Sequence, residues 1–402
     1  MPDINTLLSD RVVNMEESAT IAMTRKAREL KSQGIDIISL SIGEPDFKTP
    51  KHIQEAAKAA IDEQKYFGYS PVAGYMDLRE AIAEKLQREN GIPSKAENIV
   101  VSTGAKQSIA NVIISISNPG DEILIFAPYW VSYKDIAQFA GATPVFIKGS
   151  IDNDFKITAD QLDAAITSKT KAILFSSPSN PTGSVFSRKE IEDLVTVLAK
   201  YPNVLIIADE IYEYINFSGG HISIGSFNQV KDRTITVNGY SKGFAMTGWR
   251  IGYISAPAAL AKACEKVQGQ ITSGANSIAQ RAALVALNSD MEPTRRMTEE
   301  YIERRGVILD LLSDIPGVKT YMPSGAFYIF PDISYYFGKS KDNVTIKDAN
   351  DLSSYILNYA HVSVVSGEAF GAPEAIRISY AASEENIREA LRRIKEVLSR
   401  LN

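Results

Sequence analysis

Thr234-Ile235-Thr236-Val237-Asn238-Gly239-Tyr240-Ser241-Lys242 is the stretch that most directly predicts the fold of this chain. Its first four residues form an apolar run typical of a buried strand, and small or polar residues follow at once. A lysine in such a turn points its amine across the end of a sheet. Because a desolvated lysine amine can form a Schiff base with a carbonyl compound, Lys242 is a candidate catalytic residue.

Short apolar runs alternate with helical patterns from residue 98 to residue 256. The predicted strands are Asn98–Val101, Glu122–Ala127, Thr143–Ile147, Lys171–Phe175, Asn203–Ala208, Thr234–Val237 and Arg250–Ser255. Strands that are apolar on both faces and separated by helices indicate an α/β fold with a mostly parallel sheet covered by helices. Ligands of such sheets bind beyond the carboxyl ends of the strands, so we expect the functional residues there.

The pattern changes after about residue 290, where a smaller α+β domain is predicted. We expect a helix over 291–312, strands over 317–321, 325–330 and 375–379, and helices over 347–359 and 383–401. The predicted organisation is an N-terminal arm with part of the small domain (1–47), a large domain (48–290) and a small C-terminal domain (291–402).

Three features are predicted near the amino end. Residues 35–40 resemble a short strand, and Thr49 and Pro50 are predicted as the N-cap and first residue of a helix. A second amphipathic helix should bury a stripe of Leu78, Ile82 and Leu86.

Composition excludes several classes of function. The 402 residues carry a net charge of -5 and no basic run, which argues against binding to nucleic acid. The single Cys264 fits a reducing compartment, and residues 1–8 lack the features of a signal peptide, so a cytoplasmic location is expected. His52, His221 and His361 are not at metal-ligand spacing, so we expect surface or packing histidines and no metal site.

Several polar residues follow the predicted strands. Asp209 could ligate Mg²⁺, act as a base, cap a helix, or pair with a cation such as a protonated pyridine nitrogen. Tyr212 and Asn180 could bind an oxygen on the same ring, and Trp130 could stack on its face. The alternatives are that Asn180 only forms a turn and that Trp130 only packs in the core.

A second group of residues predicts anion binding. The helix that opens at Gly104-Ala105-Lys106 offers free backbone amides to a phosphate, and Arg250 could clamp the same group. Lys106 itself opposes the helix dipole, which indicates an anion nearby. Arg377 lies between isoleucines and fits a substrate carboxylate, which the backbone at Gly43 can approach closely.

Taken together, these residues resemble the class I aminotransferases of pyridoxal 5'-phosphate (PLP) fold type I, most closely the bacterial aspartate aminotransferases. The resemblance covers essentially the whole chain. It rests on the motifs Asn-Pro-Thr-Gly (180–183), Asp-Glu-Ile-Tyr (209–212), Ser-Lys (241–242) and Met-Thr-Gly-Trp-Arg-Ile-Gly (246–252) in this order.

The resemblance implies a function for each of these residues. Lys242 would form the Schiff base and shuttle the proton, and Asp209 would pair with the pyridinium nitrogen. The other implied cofactor-binding residues are Gly104, Ala105, Lys106, Trp130, Asn180, Tyr212, Ser241, Arg250 and, from a neighbouring subunit, Tyr69. The implied substrate-binding residues are Gly43, Trp130, Asn180, Arg377, Lys106 and Thr20, the last two at the distal carboxylate. No metal is implied, and the partner is a second copy in a homodimer with shared active sites.

One position departs from the family pattern. Many members carry a serine three residues before the Schiff-base lysine, and this chain has Gly239 there. The phosphate site should therefore lack one side chain.

The implied reaction is reversible transamination of L-aspartate with 2-oxoglutarate. One alternative is the same chemistry on aromatic amino acids, alanine, kynurenine or prephenate. A second is a PLP-dependent C–S lyase, and a third is a non-enzymatic regulator. The third is disfavoured because no basic helix-turn-helix region precedes residue 35.

Overall fold

The computed structural model describes residues 7–13 and 15–402. The helices are α1 (Asp10–Val13), α2 (Ala19–Ser32), α3 (Lys51–Asp62), α4 (Met76–Asn90), α5 (Ala105–Ile116), α6 (Ser132–Phe139), α7 (Ala159–Ala165), α8 (Arg188–Leu198), α9 (Ala258–Ile271), α10 (Ser277–Asn288), α11 (Glu292–Ser313), α12 (Ala349–Tyr355) and α13 (Glu384–Leu398). The strands are β1 (Ile38–Ser39), β2 (Ile99–Ser102), β3 (Glu122–Ala127), β4 (Thr143–Lys148), β5 (Thr170–Ser176), β6 (Leu205–Asp209), β7 (Thr234–Gly239), β8 (Gly252–Ser255), β9 (Tyr328–Ile329), β10 (Ser340–Lys341), β11 (Val344–Thr345), β12 (Val362–Ser363), β13 (Val365–Ser366) and β14 (Ile376–Ser379).

Seven strands form one sheet in the order β2-β8-β7-β6-β5-β3-β4. Neighbours from β7 to β4 are parallel, whereas β8 is antiparallel to both β2 and β7. The predicted mostly parallel α/β sheet is therefore confirmed. Because β8 alone runs in the opposite direction, its amino end lies at the edge where the other six strands have their carboxyl ends.

The two faces of this sheet bury alternate residues of each strand. Ile123 and Ile125 of β3 pack with α5, α6 and α9, whereas Leu124 and Phe126 pack with α7 and α8. Successive side chains of a strand point to opposite faces, so strands covered on both sides must be apolar throughout. The same rule places Ile99 and Val101 of β2 against α3, α4 and α10.

A second core lies among residues from the carboxyl third of the chain. It is built by α11, α12 and α13 around the antiparallel strands β13, β14 and β9. The N-terminal segment joins this core, because β1 pairs in parallel with β12 and Leu40 is fully buried in the cluster. These contacts fit the predicted division at residues 47 and 290, which stays a prediction.

Several predicted elements differ from the structure in their ends. Pro50, not Thr49, is the N-cap of α3, because the Thr49 hydroxyl instead donates to the carbonyl of Ala245. Residues 317–321 form no strand beyond a single bridge from Lys319 to Asp332. The strand predicted over 35–40 is reduced to β1.

Other predicted elements are close to the observed ones. Leu78, Ile82 and Leu86 are fully buried on α4, as the stripe predicts. The helix predicted over 347–359 is α12 followed by a π-helical turn, Ile356–Ala360. Among the described residues, no helix is both long and apolar enough to cross a membrane.

The packing of the central strand β6 generates a stability prediction. Ile206 is completely buried, whereas Ile302 on α11 is 39% exposed. Ile206→Ala should lower the free energy of unfolding by about 3 kcal/mol because it removes buried methylenes and leaves a cavity. The matched control Ile302→Ala should cost under about 1 kcal/mol. Urea unfolding followed by fluorescence measures both, and equal losses would contradict this account of the core.

Candidate active site

A cavity of about 330 Å³ opens at the edge of the sheet where six strands have their carboxyl ends. Twelve of the residues predicted as site residues line it. They are Thr20, Gly43, Ala105, Lys106, Trp130, Asn180, Asp209, Tyr212, Ser241, Lys242, Arg250 and Arg377. The topology explains the grouping, because each turn after a strand delivers its polar side chains to this edge.

Asp209 is a buried carboxylate at the last position of β6. Its Oδ2 accepts a hydrogen bond of 2.6 Å from the Tyr133 hydroxyl, and its Oδ1 accepts one of 3.2 Å from the Ile211 amide. Burial raises the pKa of Asp209 to about 6, against the lowering effect of these two donors. A cation bound at this carboxylate would offset the cost of burying its charge.

Lys242 follows β7 and is half-buried in the same cavity. Its Nζ donates to the carbonyl of Gly43. Burial lowers the pKa of the amine to about 8, and the positive charges of Arg377 and Arg250 act in the same direction. The lowered pKa makes this amine a better nucleophile or base near neutral pH than an ordinary lysine, which is almost fully protonated there.

Close backbone contacts shape the start of α5. Gly104 has a φ of 82°, and a Cβ at that residue would collide with the guanidinium of Arg250. A Cβ at Gly252 would collide with the backbone amide of Ala105. The first amides of α5 have no partner within the helix, so this cleft is suited to an anion.

Gly239, the departure from the family pattern, has a steric reason. It pairs with Gly252 across β7 and β8, and its added Cβ would lie 2.8 Å from the Gly252 Cα. A serine there would require the two strands to separate.

Arg250 reaches this site although it precedes a strand. The sequence places it at the beginning of the strand Arg250–Ser255, but the strand begins at Gly252 and Arg250 is in a left-handed turn with φ 57°. Because β8 is antiparallel, this turn lies at the same edge as Lys242 and Asp209. Its guanidinium donates to the carbonyl of Thr247 at 3.0 Å.

Lys106 projects from the first turn of α5 over the Trp130 ring, with its Nζ 5.0 Å from the ring centroid. Burial lowers the pKa of its amine, and Arg250 adds to the lowering. Asp135 is the carboxylate that opposes this shift. Thr20, at the beginning of α2, lines the same cavity.

Arg377 is 1% exposed and lies at the centre of β14. Its guanidinium donates to Asn180 Oδ1 at 3.0 Å and to the Ser41 carbonyl at 2.6 Å. Among the described residues its Nε has no hydrogen-bond partner. A buried guanidinium held by neutral acceptors retains its full charge for an anionic ligand.

Two residues of the site were missed by the sequence reasoning. Tyr133 donates to Asp209, and the Tyr328 hydroxyl lies 2.7 Å from the Tyr212 hydroxyl. The Tyr328 ring also faces the Arg377 guanidinium at 4.6 Å, and its hydroxyl is what a side chain at Gly43 would meet. No motif marks Tyr133, whereas Tyr328 lies within the strand predicted over 325–330.

Two predicted site residues lie outside the cavity wall. Gly104 is the N-cap of α5, and its backbone conformation, with a positive φ, directs the chain into the helix. Tyr69 is 99% exposed and is not part of the cavity of its own chain.

His221, predicted as a surface or packing histidine, lies beside two carboxylates. Its ligand atoms and those of Glu210 and Glu213 all lie within 4.8 Å of one another. Sequence spacing does not reveal this proximity, since the loop between residues 213 and 221 folds back.

The comparisons with known proteins agree with this geometry. Residues 35–394 match the family model described as aminotransferase class I and II. The chain is 45% identical over 401 residues to a bifunctional aspartate aminotransferase and glutamate/aspartate-prephenate aminotransferase of Petunia hybrida, covering 98% of this chain and 84% of the relative. It is 44% identical to an aspartate/prephenate aminotransferase of Nitrosomonas europaea, covering 98% and 100%.

Solved structures are similarly close. The aspartate aminotransferase of Rhizobium meliloti superimposes with a TM-score of 0.95 at 40% identity, covering 98% of this chain and 99% of that one. The Thermus thermophilus aspartate aminotransferase with maleate gives 0.90 at 41% identity, covering 97% and 99%. The fold is therefore that of PLP fold type I, and the chain belongs to the class I and II aminotransferases, which are PLP-dependent enzymes.

Proposed function

We propose that this enzyme transfers the amino group of L-aspartate reversibly to 2-oxoglutarate, giving oxaloacetate and L-glutamate in a ping-pong cycle. The observation that carries the proposal is the presence of Arg377 and Lys106 in one cavity with Lys242. A dicarboxylic substrate has two anionic ends, and these two cations can each take one of them. Relatives at 40–45% identity named for aspartate add support.

The side chains of the cavity fit PLP. Asp209 is a buried carboxylate whose raised pKa favours a cationic partner, and a protonated ring nitrogen supplies one. Gly104, Ala105 and Lys106 at the start of α5, together with Ser241 and Arg250, form a setting for its phosphate. Tyr212 and Asn180 would bind the phenolic oxygen, and Trp130 would stack on the ring.

When bound, the cofactor supplies a carbonyl carbon that takes up the amino group and a ring that withdraws electrons from the substrate Cα. In our proposal, Asp209 keeps the ring nitrogen protonated. Lys242 removes the proton from the substrate Cα and returns it at the cofactor carbon. Its pKa of about 8 makes it able both to accept and to donate that proton near neutral pH.

Arg377 would bind the α-carboxylate of the substrate through its guanidinium. Its hydrogen bonds to Asn180 and Ser41 fix the plane of the group. A fixed carboxylate orients the Cα–H bond toward Lys242, so geometry favours loss of the proton over loss of CO₂. The backbone at Gly43 borders the same ligand.

Lys106 and Thr20 would bind the distal carboxylate. Lys106 is partly desolvated and its amine lies over the Trp130 ring. It can therefore reach a substrate without breaking an ion pair with any residue that the structure describes. Desolvation strengthens its attraction for an anion.

Prephenate is a second candidate substrate. It carries two carboxylates, and relatives named aspartate/prephenate aminotransferase align with nearly the full chain. Turnover with prephenate as amino acceptor at a kcat/KM comparable to that with oxaloacetate would establish both activities. Release of ammonia and pyruvate without an amino acceptor would instead indicate a C–S lyase.

A homodimer with shared active sites is also part of the proposal. Tyr69 is almost fully exposed, and the same stretch exposes Ile61, Phe67 and Met76. Exposed apolar side chains of this number mark a protein contact. Tyr69 would then reach the phosphate site of the second subunit. A cytoplasmic location, as the composition predicts, completes the proposal.

The half-reaction tests the chemistry. L-Aspartate added without an acceptor should convert the absorbance of the bound cofactor to that of its amino form, and 2-oxoglutarate should restore it. Lys242→Ala should slow this conversion at least about 10³-fold, because it removes the proton carrier. Conversion by phenylalanine or alanine alone would refute the aspartate assignment, and an enzyme without a cofactor band would refute the whole proposal.

Substrate selectivity tests Lys106. Lys106→Met should lower kcat/KM for aspartate by about 10- to 100-fold, the value of a lost charged hydrogen bond. The kcat/KM for alanine, which has no distal carboxylate, should change little. Lys134→Met, at a nearby lysine paired with Glu16, is the control. An equal loss for both substrates would contradict a contact with the distal carboxylate.

Light scattering and cofactor titration test the dimer. The enzyme should have the mass of two chains, and Tyr69→Phe should weaken PLP binding about tenfold by removing one hydrogen bond to a charged group. Tyr335→Phe, also at an exposed tyrosine, should leave the affinity unchanged. A monomer with full cofactor affinity would rule out shared sites.

A further inference from the structure

The turn that carries Asp209 and Tyr212 presents side chains to two sides. Asp209 and Tyr212 line the cavity, whereas Glu210 and Glu213 do not. Both glutamates are nonetheless buried, at 2% and 7% exposure. Glu210 directly follows the strand residue Asp209 and points to the opposite side. Glu213 lies in the turn itself, and its carboxylate is bound on the side of Lys85 and Asn90. Neither glutamate has a place in the proposed transamination.

Both glutamates bind to a buried polar network that reaches α4. The Lys85 ammonium, 1% exposed, contacts Glu213 Oε1 and donates to Asn90 Oδ1 at 2.8 Å. Asn90 Nδ2 donates to Glu213 Oε2 at 2.8 Å. The same nitrogen lies 2.9 Å from the Ser223 hydroxyl, which donates to Glu210 Oε2 at 2.6 Å. Every oxygen of Glu213 is therefore occupied.

His221 completes the charge balance of this network. Its Nε2 lies 3.0 Å from Glu210 Oε2. Burial alone would lower the pKa of His221, but Glu210 and Glu213 raise it above its ordinary value. With His221 protonated, two carboxylates face two cations, Lys85 and His221. Glu89, 3.8 Å from Lys85 and bound by the Tyr214 hydroxyl, is the further carboxylate at the rim.

A metal ion is a poorer occupant than these cations. Glu210, Glu213 and His221 have suitable ligand atoms, but both oxygens of Glu213 already accept from Lys85 and Asn90. A divalent ion bound to Glu213 would have to displace the buried Lys85 ammonium. Lys85 therefore stands where a cation would bind.

We propose that Lys85 is a positioning residue for the reaction, acting through Glu213 on Asp209 and Tyr212. The inference rests on the proposed pairing of Asp209 with the cofactor ring nitrogen. Glu213 is hydrogen-bonded through its amide to the Glu210 carbonyl at 2.9 Å, so the turn is short and closed. If Glu213 moved toward solvent, the backbone of this turn would move with it, and the Asp209 carboxylate would shift.

Loss of Lys85 leaves Glu213 buried without its cation, and such a charge moves toward water. Displacement of a catalytic group by about 1 Å is enough to reduce a rate about 100-fold. When the charges of Lys85 and Glu213 are removed together, no unpaired carboxylate is left to move toward water.

The test compares two ligands of the apoenzyme, PLP and its analogue with carbon in place of the ring nitrogen. Only PLP can pair with Asp209, so the ratio of the two affinities reports the position of that carboxylate. The variants are Lys85→Met, Glu213→Gln and the double variant, with Lys189→Met as a control at an exposed lysine paired with Asp193. Thermal melting is recorded for each.

The wild type and the Lys189→Met control should prefer PLP over the analogue. Lys85→Met should reduce this preference about tenfold, the size typical of residues that orient a ligand-binding group. The double variant should recover it to within about threefold of the wild type. If Lys85→Met does not fold, the affinity ratio of Glu213→Gln is compared with that of the double variant instead.

Two results would overturn the inference. A lower melting temperature with an unchanged affinity ratio would show a purely structural function for Lys85, and a double variant as defective as Lys85→Met would exclude charge balance. A wild type without any preference for the ring nitrogen would instead refute the function proposed for Asp209. A wild type that fails to react with aspartate while keeping the preference would refute only the proposed substrate.

Discussion

The burial of charge at the carboxyl edge of the sheet is the constraint on which this structure depends. Asp209 and Arg377 are ionisable groups from which water is almost completely excluded, and Lys242 is a half-buried amine whose pKa is lowered by burial. Each would be costly to bury alone, and each is tolerated because rigid elements hold polar groups against it. The sheet offsets this cost, because its strands are apolar on both faces and their burial stabilises the fold. The same low-dielectric surroundings strengthen every interaction that the edge offers to a ligand.

The direction of the individual strands decides which residues meet there. Two parallel strands bring Asp209, the last residue of β6, and Lys242, in the turn after β7, to this edge. The reversed strand β8 brings Arg250 there from the turn that precedes it. The second core then contributes Arg377 from β14, which donates hydrogen bonds to Asn180, in the turn after β5, and to the Ser41 carbonyl of the N-terminal segment. The site is thus assembled from three separate parts of the chain.

Local sequence predicted the strands and the polar residues that follow them, because these are adjacent in the chain, whereas Thr20 and Ser241 were predicted as binding residues only through the family resemblance. It failed where the relevant neighbour is distant. Tyr133 lies 76 positions from the Asp209 that it contacts, and nothing in its own surroundings marks it. Pro50 replaced Thr49 as a helix cap because the Thr49 hydroxyl is used by Ala245. The reversal of β8 was equally invisible, since an antiparallel central strand has the same composition as a parallel one.

The network behind the site follows from the same constraint. A strand that ends in a buried carboxylate must continue into a turn, and here both Glu210 and Glu213 of that turn are buried as well. Three carboxylates within five residues repel one another, so cations are required on the far side. Lys85 pairs with Glu213 and His221 with Glu210, both from segments outside the turn. Of the three carboxylates, Asp209 alone forms no ion pair with a cation in the described part of the chain, which is the condition that the proposed pairing with a protonated ring nitrogen requires.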